Sequence, residues 1–241
     1  MKVSVVVPAY NEEKLLPQSL ASIRQAMQAF DAPGWSAELI VCDNNSTDRT
    51  PVVAAAAGAK VVFEPVNQIS RARNAGAAQA AGDWLVFVDA DSFPSKALFR
   101  ETRELIAGGR CLAGGSTVAY EHAPSGGALA IGVWNAVSRL SKWAAGSFIF
   151  CETAAFRESG GFSEELYASE EIELFRRLKR MARRKRMAIV ILHRHPILTS
   201  DRKLQLYRWR DLWSFLARVI VTRGRTLRNR SDCYPWYDGR R

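Results

Sequence analysis

The chain has 241 residues, 48% of them apolar, and a formal net charge of +10, the composition of a soluble globular protein with one full core and an appended tail. Met1 to Tyr10 carries one basic residue and a short apolar run that stops at Pro8, which excludes the hydrophobic region of a signal peptide. Ala128 to Phe150 is broken by Arg139 and Lys142, so no apolar stretch is long enough to span a bilayer, and the cytoplasm is expected. Cys42, Cys111, Cys151 and Cys233 have neither metal-ligand nor redox spacing and read as reduced, buried thiols.

In chain order, the β-branched run Val3 to Val7, ended by Pro8, predicts a first central strand. Leu16, Leu20, Ile23, Met27 and Phe30 recur at four- and three-residue steps, the stripe of an amphipathic helix. Glu38 to Cys42 reads as a second strand. The polar cluster Asp43-Asn44-Asn45-Ser46-Thr47-Asp48 follows it and supplies capping residues for a helix through Ala57. Lys60 to Phe63 is a third strand, Ser70 to Ala81 a helix, and Trp84 to Asp89 a fourth strand buried on both faces. This alternation predicts a parallel sheet with right-handed crossovers.

The second half is less regular. Ala113 to Tyr120, Ser147 to Cys151 and Met187 to Leu192 read as strands, and Gly126 to Lys142 and Leu204 to Val221 as helices. Gly160-Gly161-Phe162 forms a tight loop before a helix from Ser169 to Arg186. That helix holds Arg176, Arg177, Lys179, Arg180, Arg183, Arg184 and Lys185, and arginines recur from Arg202 onward. Such density implies an anionic partner: nucleic acid, a lipid headgroup surface or a phosphorylated substrate. For any single one of these residues the ordinary reading is a solvated helix face. Arg223 to Arg241, with Trp236 and Tyr237, reads as a mobile tail or a folded lid.

Each of the first four strands is followed by polar residues. A ligand bound across the carboxyl ends of an open α/β sheet would meet all of them. A nucleotide placed there would find Asp43 as acceptor for a base N–H and Arg71 and Arg73 as phosphate partners. Asp91 would be a hard oxygen ligand for a divalent cation bridging the diphosphate. Asp89-Ala90-Asp91 taken alone is also an ordinary strand end with a polar turn.

Val5-Val6-Val7-Pro8-Ala9-Tyr10-Asn11-Glu12, Asp43 to Asp48, Ser70-Arg71-Ala72-Arg73-Asn74-Ala75-Gly76 and Phe87-Val88-Asp89-Ala90-Asp91 stand in the order and spacing of the family 2 glycosyltransferases, which the chain resembles over about its first hundred residues. More loosely, Gly160-Gly161-Phe162-Ser163-Glu164 resembles the family's Gly-Gly-Phe-Asp-Glu loop. Glu170-Glu171 aligns with its Glu-Asp pair at a helix start.

The resemblance implies a GT-A fold. A glycosyltransferase domain would span 1–200, with a nucleotide-sugar half at 1–110 and an acceptor half at 111–200, followed by a helical basic extension at 201–241. It implies that Pro8, Ala9, Tyr10 and Glu12 line the nucleotide pocket and that Asp43 contacts the base. The Asp89-Ala90-Asp91 stretch would hold sugar, ribose and metal, with Arg73 near the donor. The family's catalytic base falls on Glu171, where the longer Glu replaces Asp, so that Glu170 is the alternative base. Acidic residues in a first helical turn are also common for dipole reasons alone.

A late histidine completes the metal shell in several GT-A enzymes, which points to His193 or His195 beside Asp91. Thr199-Ser200-Asp201-Arg202-Lys203 resembles a segment of some bacterial members whose basic pair, here Arg202 and Lys203, would close over the diphosphate. The implied reaction is inverting transfer of a hexose-type sugar from a UDP- or GDP-sugar, aided by Mg2+ or Mn2+, to a carbohydrate or lipid-linked acceptor. A peripheral association with an anionic membrane surface fits the charge, and nucleic acid is not an expected partner. Two rivals are a nucleic-acid-binding module, suggested by arginines among Trp209, Trp213 and Trp236, and a catalytically silent relative that binds nucleotide sugar.

Overall fold

The computed structural model describes residues 1–120, 127–202, 218, 221, 222, 224–233 and 237, with 127–130 through their backbone. The expected helix at 204–221 and the residues Lys203, Trp209, Trp213 and Trp236 lie outside the described residues, apart from positions 218 and 221. Four strands, β1 (Lys2–Ala9), β2 (Ser36–Asp43), β3 (Lys60–Phe63) and β4 (Trp84–Val88), run parallel in the order β3-β2-β1-β4. Helices α1 (Leu16–Met27), α2 (Thr50–Ala56) and α3 (Ile69–Ala78) connect them.

The unbroken apolar runs of β1 and β4 follow from burial on both faces. Val3, Val5, Val7, Trp84, Val86 and Val88 join one core cluster, whereas Val6, Leu85 and Phe87 join the other. Leu16, Leu20 and Ile23 seat α1 on the first cluster, and Phe30 reaches the same cluster from a short 3-10 turn at Gln28–Phe30. The expected capping of α2 is carried by Asp48, whose Oδ1 accepts the Thr50 N–H at 2.9 Å.

The second half adds β5 (Ser92–Phe93), α4 (Lys96–Ala107), β6 (Cys111–Tyr120), α5 (Gly127–Ser141), β7 (Phe148–Glu152), α6 (Thr153–Glu158), α7 (Glu170–Lys185) and β8 (Ala188–Thr199). The sheet order becomes β3-β2-β1-β4-β7-β6-β8-β5. The first four strands are parallel as their alternation with helices predicts, and the second half adds antiparallel neighbours. β7 enters between β4 and β6 and runs against both, and the two-residue β5 runs against β8. The sheet is mixed but mostly parallel, and β7 joins the two halves of the chain into one layer flanked by helices.

The last strand extends well past the expected Leu192. Its pairing with β6 slips between Ser116 and Val118, so that Leu192 and Ile197 stand opposite residues only two apart and 193–196 bulge out of register. His193 and His195 therefore lie within this strand rather than after it.

All four cysteines are free and buried, and burial pushes the Cys42 and Cys111 thiols up to about 12. Trp84 is buried and packs at a tilt against Phe150, ring centroids 6.2 Å apart, a packing role. Among the described residues no helix is long and apolar enough to cross a membrane.

Gly114 of β6 is where β7 and β8 close in on the sheet. A Cβ there would lie 2.3 Å from the Val190 carbonyl oxygen and 2.4 Å from Phe150 Cζ. Gly114→Ala is expected to lower the urea midpoint by the equivalent of about 1–3 kcal/mol, and an unchanged midpoint would contradict this packing.

Candidate active site

The parallel strands end together, and the turns after them are stitched to one another. Asn11 adopts a left-handed φ of 51°. Its side-chain oxygen accepts the Thr47 N–H at 2.8 Å, and its own N–H donates to Ser46 Oγ at 3.0 Å. The Glu12 N–H donates to Thr50 Oγ1 at 2.8 Å, so the β1 turn is held by the start of α2. Between these turns and the end of β4 lies a cleft lined by Pro8, Ala9, Tyr10, Glu12, Asn44, Asn67, Ile69, Asp89, Ala90, Asp91 and Tyr237.

Behind the Asp89 wall sits Arg73 of α3, 1% exposed. Its guanidinium donates to Asp89 Oδ1 at 2.8 Å, Glu170 Oε1 at 2.7 Å and the Gly146 carbonyl at 3.0 Å, and lies 5.1 Å over the Phe162 ring. One side chain thus ties the end of β4, the start of α7 and the loop before β7. Burial works against its charge, but Asp89, Glu170 and Glu171 outweigh that cost and hold its pKa above the usual arginine value.

Glu170 and Glu171 open α7 directly after Ser169, a non-glycine residue at φ 63°. Burial raises the Glu170 pKa against the opposing pull of Arg73. Burial, and then the adjacent Glu170, push Glu171 up to about 8. Glu170 holds the ion pair with Arg73, and Glu171 follows it in the first turn of α7.

Asp91 lies on the other side of the cleft floor. Its backbone carbonyl accepts the Ser200 N–H at 3.0 Å, and its Oδ2 accepts from Ser200 Oγ at 3.3 Å. Arg202 grips Glu12 through two bonds of 2.8 and 3.0 Å and approaches Asp91 Oδ2 at 3.5 Å. A basic residue at the end of β8 therefore stands over the carboxylates of β1 and β4.

The structure brings Pro8, Ala9, Tyr10, Glu12, Asp89, Ala90 and Asp91 together on the cleft wall. Glu170 stands behind it, linked through Arg73, and Glu171 is the next residue of α7. Other expected residues take different places. Asp43 is buried and its Oδ1 accepts the Ser46 N–H at 3.2 Å, while Asn44 faces the cleft in its stead. Arg71 pairs with Glu64 at 3.1 Å and Glu164 at 2.6 Å and so clamps the loop before α7.

His193 is exposed at the β8 bulge, seven residues before the Ser200 that meets Asp91. His195 lies 3.1 Å from Glu101 of α4. Among the described residues no three His, Cys, Asp or Glu side chains converge as a metal cage. The carboxylates of Asp89 and Asp91 are nevertheless the hard oxygen donors that a cation shared with a substrate diphosphate requires, since such an ion is commonly held by one or two carboxylates, phosphates and water.

Sequence reasoning missed Asn44, Asn67, Ile69 and Tyr237 as lining residues. The Tyr237 hydroxyl accepts the Ile69 N–H at 3.3 Å, and its ring packs edge-on against Tyr167 at 5.5 Å. Arg230 donates to Asn67 at 2.9 Å, and the Leu227 carbonyl accepts the Tyr167 N–H at 2.7 Å. The described part of the carboxyl-terminal stretch is thus folded against the rim of the cleft. Only the interleaving of aromatic and basic residues hinted at it.

With this geometry in place, comparisons with known proteins agree on the class. The description Glycosyl transferase family 2 matches residues 4–159, and the chain belongs to that family. An uncharacterized glycosyltransferase of Mycobacterium tuberculosis (strain H37Rv) is 42% identical over 89 residues, 37% of this chain and 36% of that protein. The crystal structure of Staphylococcus aureus TarS 1–349 superposes with a TM-score of 0.63 at 22% identity, covering 84% of this chain and 61% of that one. The mannosyltransferase PcManGT from Pyrobaculum calidifontis, solved in complex with GDP-Man and Mn2+, superposes with a TM-score of 0.67 at 19% identity, covering 88% and 59%. These structures share the GT-A fold with this chain, which spans less than two thirds of their length.

Arg73 makes the sharpest stability prediction. Arg73→Met strands Asp89 and Glu170 and is expected to cost about 3–5 kcal/mol in urea unfolding. Adding Glu170→Gln to that variant should recover part of the loss. A cost under about 1 kcal/mol would mean that the triad behaves as an exposed ion pair.

Proposed function

We propose that the protein transfers a hexose-type sugar from a nucleoside-diphosphate donor to an acceptor hydroxyl, with inversion at the anomeric carbon. The observation that carries this reading is the pairing of a cleft walled by Asp89 and Asp91 with the Arg73-linked carboxylates at the start of α7, in a chain of this family. Pro8, Ala9 and Tyr10 form a wall for the nucleoside, and Asn44 and Asn67, whose amides bond the Glu64, Val66 and Asn44 carbonyls, hold the rim beside it. Asp89, held by Arg73, orients toward the sugar and ribose. A divalent cation, Mg2+ or Mn2+, would be held by Asp91 together with Asp89 and would neutralise charge on the leaving diphosphate.

The acceptor hydroxyl oxygen attacks the anomeric carbon as the bond from that carbon to the diphosphate oxygen breaks, and the bonding pair leaves with the diphosphate. Glu171, as the carboxylate, takes the hydroxyl proton. It sits in the first turn of α7, directly after the left-handed Ser169. Arg202, bound to Glu12 and close to Asp91, is poised to exchange those carboxylates for diphosphate oxygens as the donor enters. The acceptor is a carbohydrate or a lipid-linked saccharide.

Asp91→Asn is expected to reduce turnover of the nucleotide sugar by at least about a hundredfold, and near-native activity in that variant would sink the assignment. Glu171→Gln should lower kcat by about a hundredfold or more while donor affinity stays within a few-fold, as read by initial rates and calorimetry. The pH dependence follows from the raised Glu171 pKa. The base is competent only when ionised, so the rate should climb as pH rises toward about 8. A rate already flat above pH 6 would show that Glu171 ionises at its ordinary value and is not the limiting base.

A further inference from the structure

α5 presents its apolar side to water. Val133, Ala136, Val137 and Leu140 recur at i, i+3, i+4 and i+7 and are all exposed, with Leu140 at 86%, while Asn135 and Ser138 turn inward. Asn135 bonds the Val118 backbone at 2.9 and 3.0 Å, and Ser138 Oγ donates to the Trp143 carbonyl at 2.6 Å. Polar groups thus fasten this helix to the fold and its aliphatic groups face out, the reverse of an ordinary surface helix.

Beside the end of α5 stands a cluster of cations. Lys179 of α7 donates to the Ser141 carbonyl and lies 5.4 Å over the Trp143 ring. Burial, and then the like charges of Lys142, Arg176 and Arg183, lower the Lys179 pKa, so the four cations share one field. Arg176, Lys179 and Arg183 lie on the side of α7 opposite the buried Leu174, Leu178 and Met181.

We propose that this surface docks the protein on an anionic lipid bilayer, with the α5 stripe inserted at the level of the acyl boundary and the Lys142, Arg176, Lys179 and Arg183 cluster against acidic headgroups. A second copy of the chain would bring like cations face to face around a two-fold axis, and a nucleic acid would leave the aliphatic stripe in water. An anionic bilayer satisfies both halves of the surface. The surface stands apart from the transferase reading, and a failure of turnover leaves it untouched.

The test is co-sedimentation of the full chain with sucrose-loaded vesicles of phosphatidylcholine alone or mixed with phosphatidylglycerol, with oligomeric state followed by light scattering. Wild type should partition at least about tenfold more strongly onto the mixed vesicles and be released by high salt. Val137→Ser combined with Leu140→Ser removes exposed side chains and should weaken partition about tenfold at an unchanged thermal midpoint. Arg176→Glu combined with Arg183→Glu should abolish the preference for phosphatidylglycerol. Absence of binding, equal binding to both vesicle types, or unaltered binding by the serine variant overturns the proposal. So does a concentration-dependent dimer that the serine variant dissolves, which would assign the stripe to a second copy.

Discussion

A single buried guanidinium holds the site together. Arg73 is removed from water at a cost that only paired carboxylates can offset, and its three oxygen partners come from three distant parts of the chain. Because those partners belong to β4, the loop before β7 and α7, the parallel first half cannot hold its cleft in shape without the second half. The charge count around Arg73 has a chemical consequence as well. Burial, and then the negative charge of the neighbouring Glu170, raise the Glu171 pKa. The same arrangement that stabilises the fold therefore shifts the titration of the proposed base.

The loop before α7 depends on this frame. Asn74, one position after Arg73, donates to the Phe162 carbonyl and accepts the Phe162 N–H, both at 2.9 Å. Gly161, at φ 70°, passes so close that a Cβ would lie 2.7 Å from the Asn74 amide oxygen. Arg71 adds a clamp onto Glu164 from the same helix. α3 thus presents Arg71, Arg73 and Asn74 to the approach of α7, and the strained Ser169 follows directly on this clamped loop. Arg202 does the corresponding work on the other side of the cleft, linking the end of β8 to Glu12 and Asp91. The cleft is bordered by ion pairs whose cations come from outside the strands that carry its carboxylates.

Much of this was legible in the sequence because burial on both faces leaves an unmistakable trace. The runs of β1 and β4 are apolar without interruption, and the polar residues that end them mark the ligand edge of a parallel sheet. What escaped was set by long-range pairing. β7 reads as a strand, but nothing local says that it runs against its neighbours. Met187 to Leu192 carries the β-branched signal, whereas the bulge that displaces His193 arises from register with β6. The commitment of Arg71 depends on Glu164, 93 residues along the chain, and the arrival of Tyr237 at Ile69 on a separation of 168. At the end of β2 a one-residue alternation decides that Asn44 rather than Asp43 faces the cleft. Motif spacing has no means of resolving that step.

The central claim is that the strand-end cleft binds a nucleotide sugar through a cation-dependent contact at Asp89 and Asp91. It is tested most directly by thermal unfolding of the purified protein with a panel of UDP- and GDP-sugars, each with Mn2+, Mg2+ or a chelator. A rise in midpoint with donors of one base, present with metal and lost with chelator, is the predicted result. A midpoint that no donor moves under any of these conditions would contradict it.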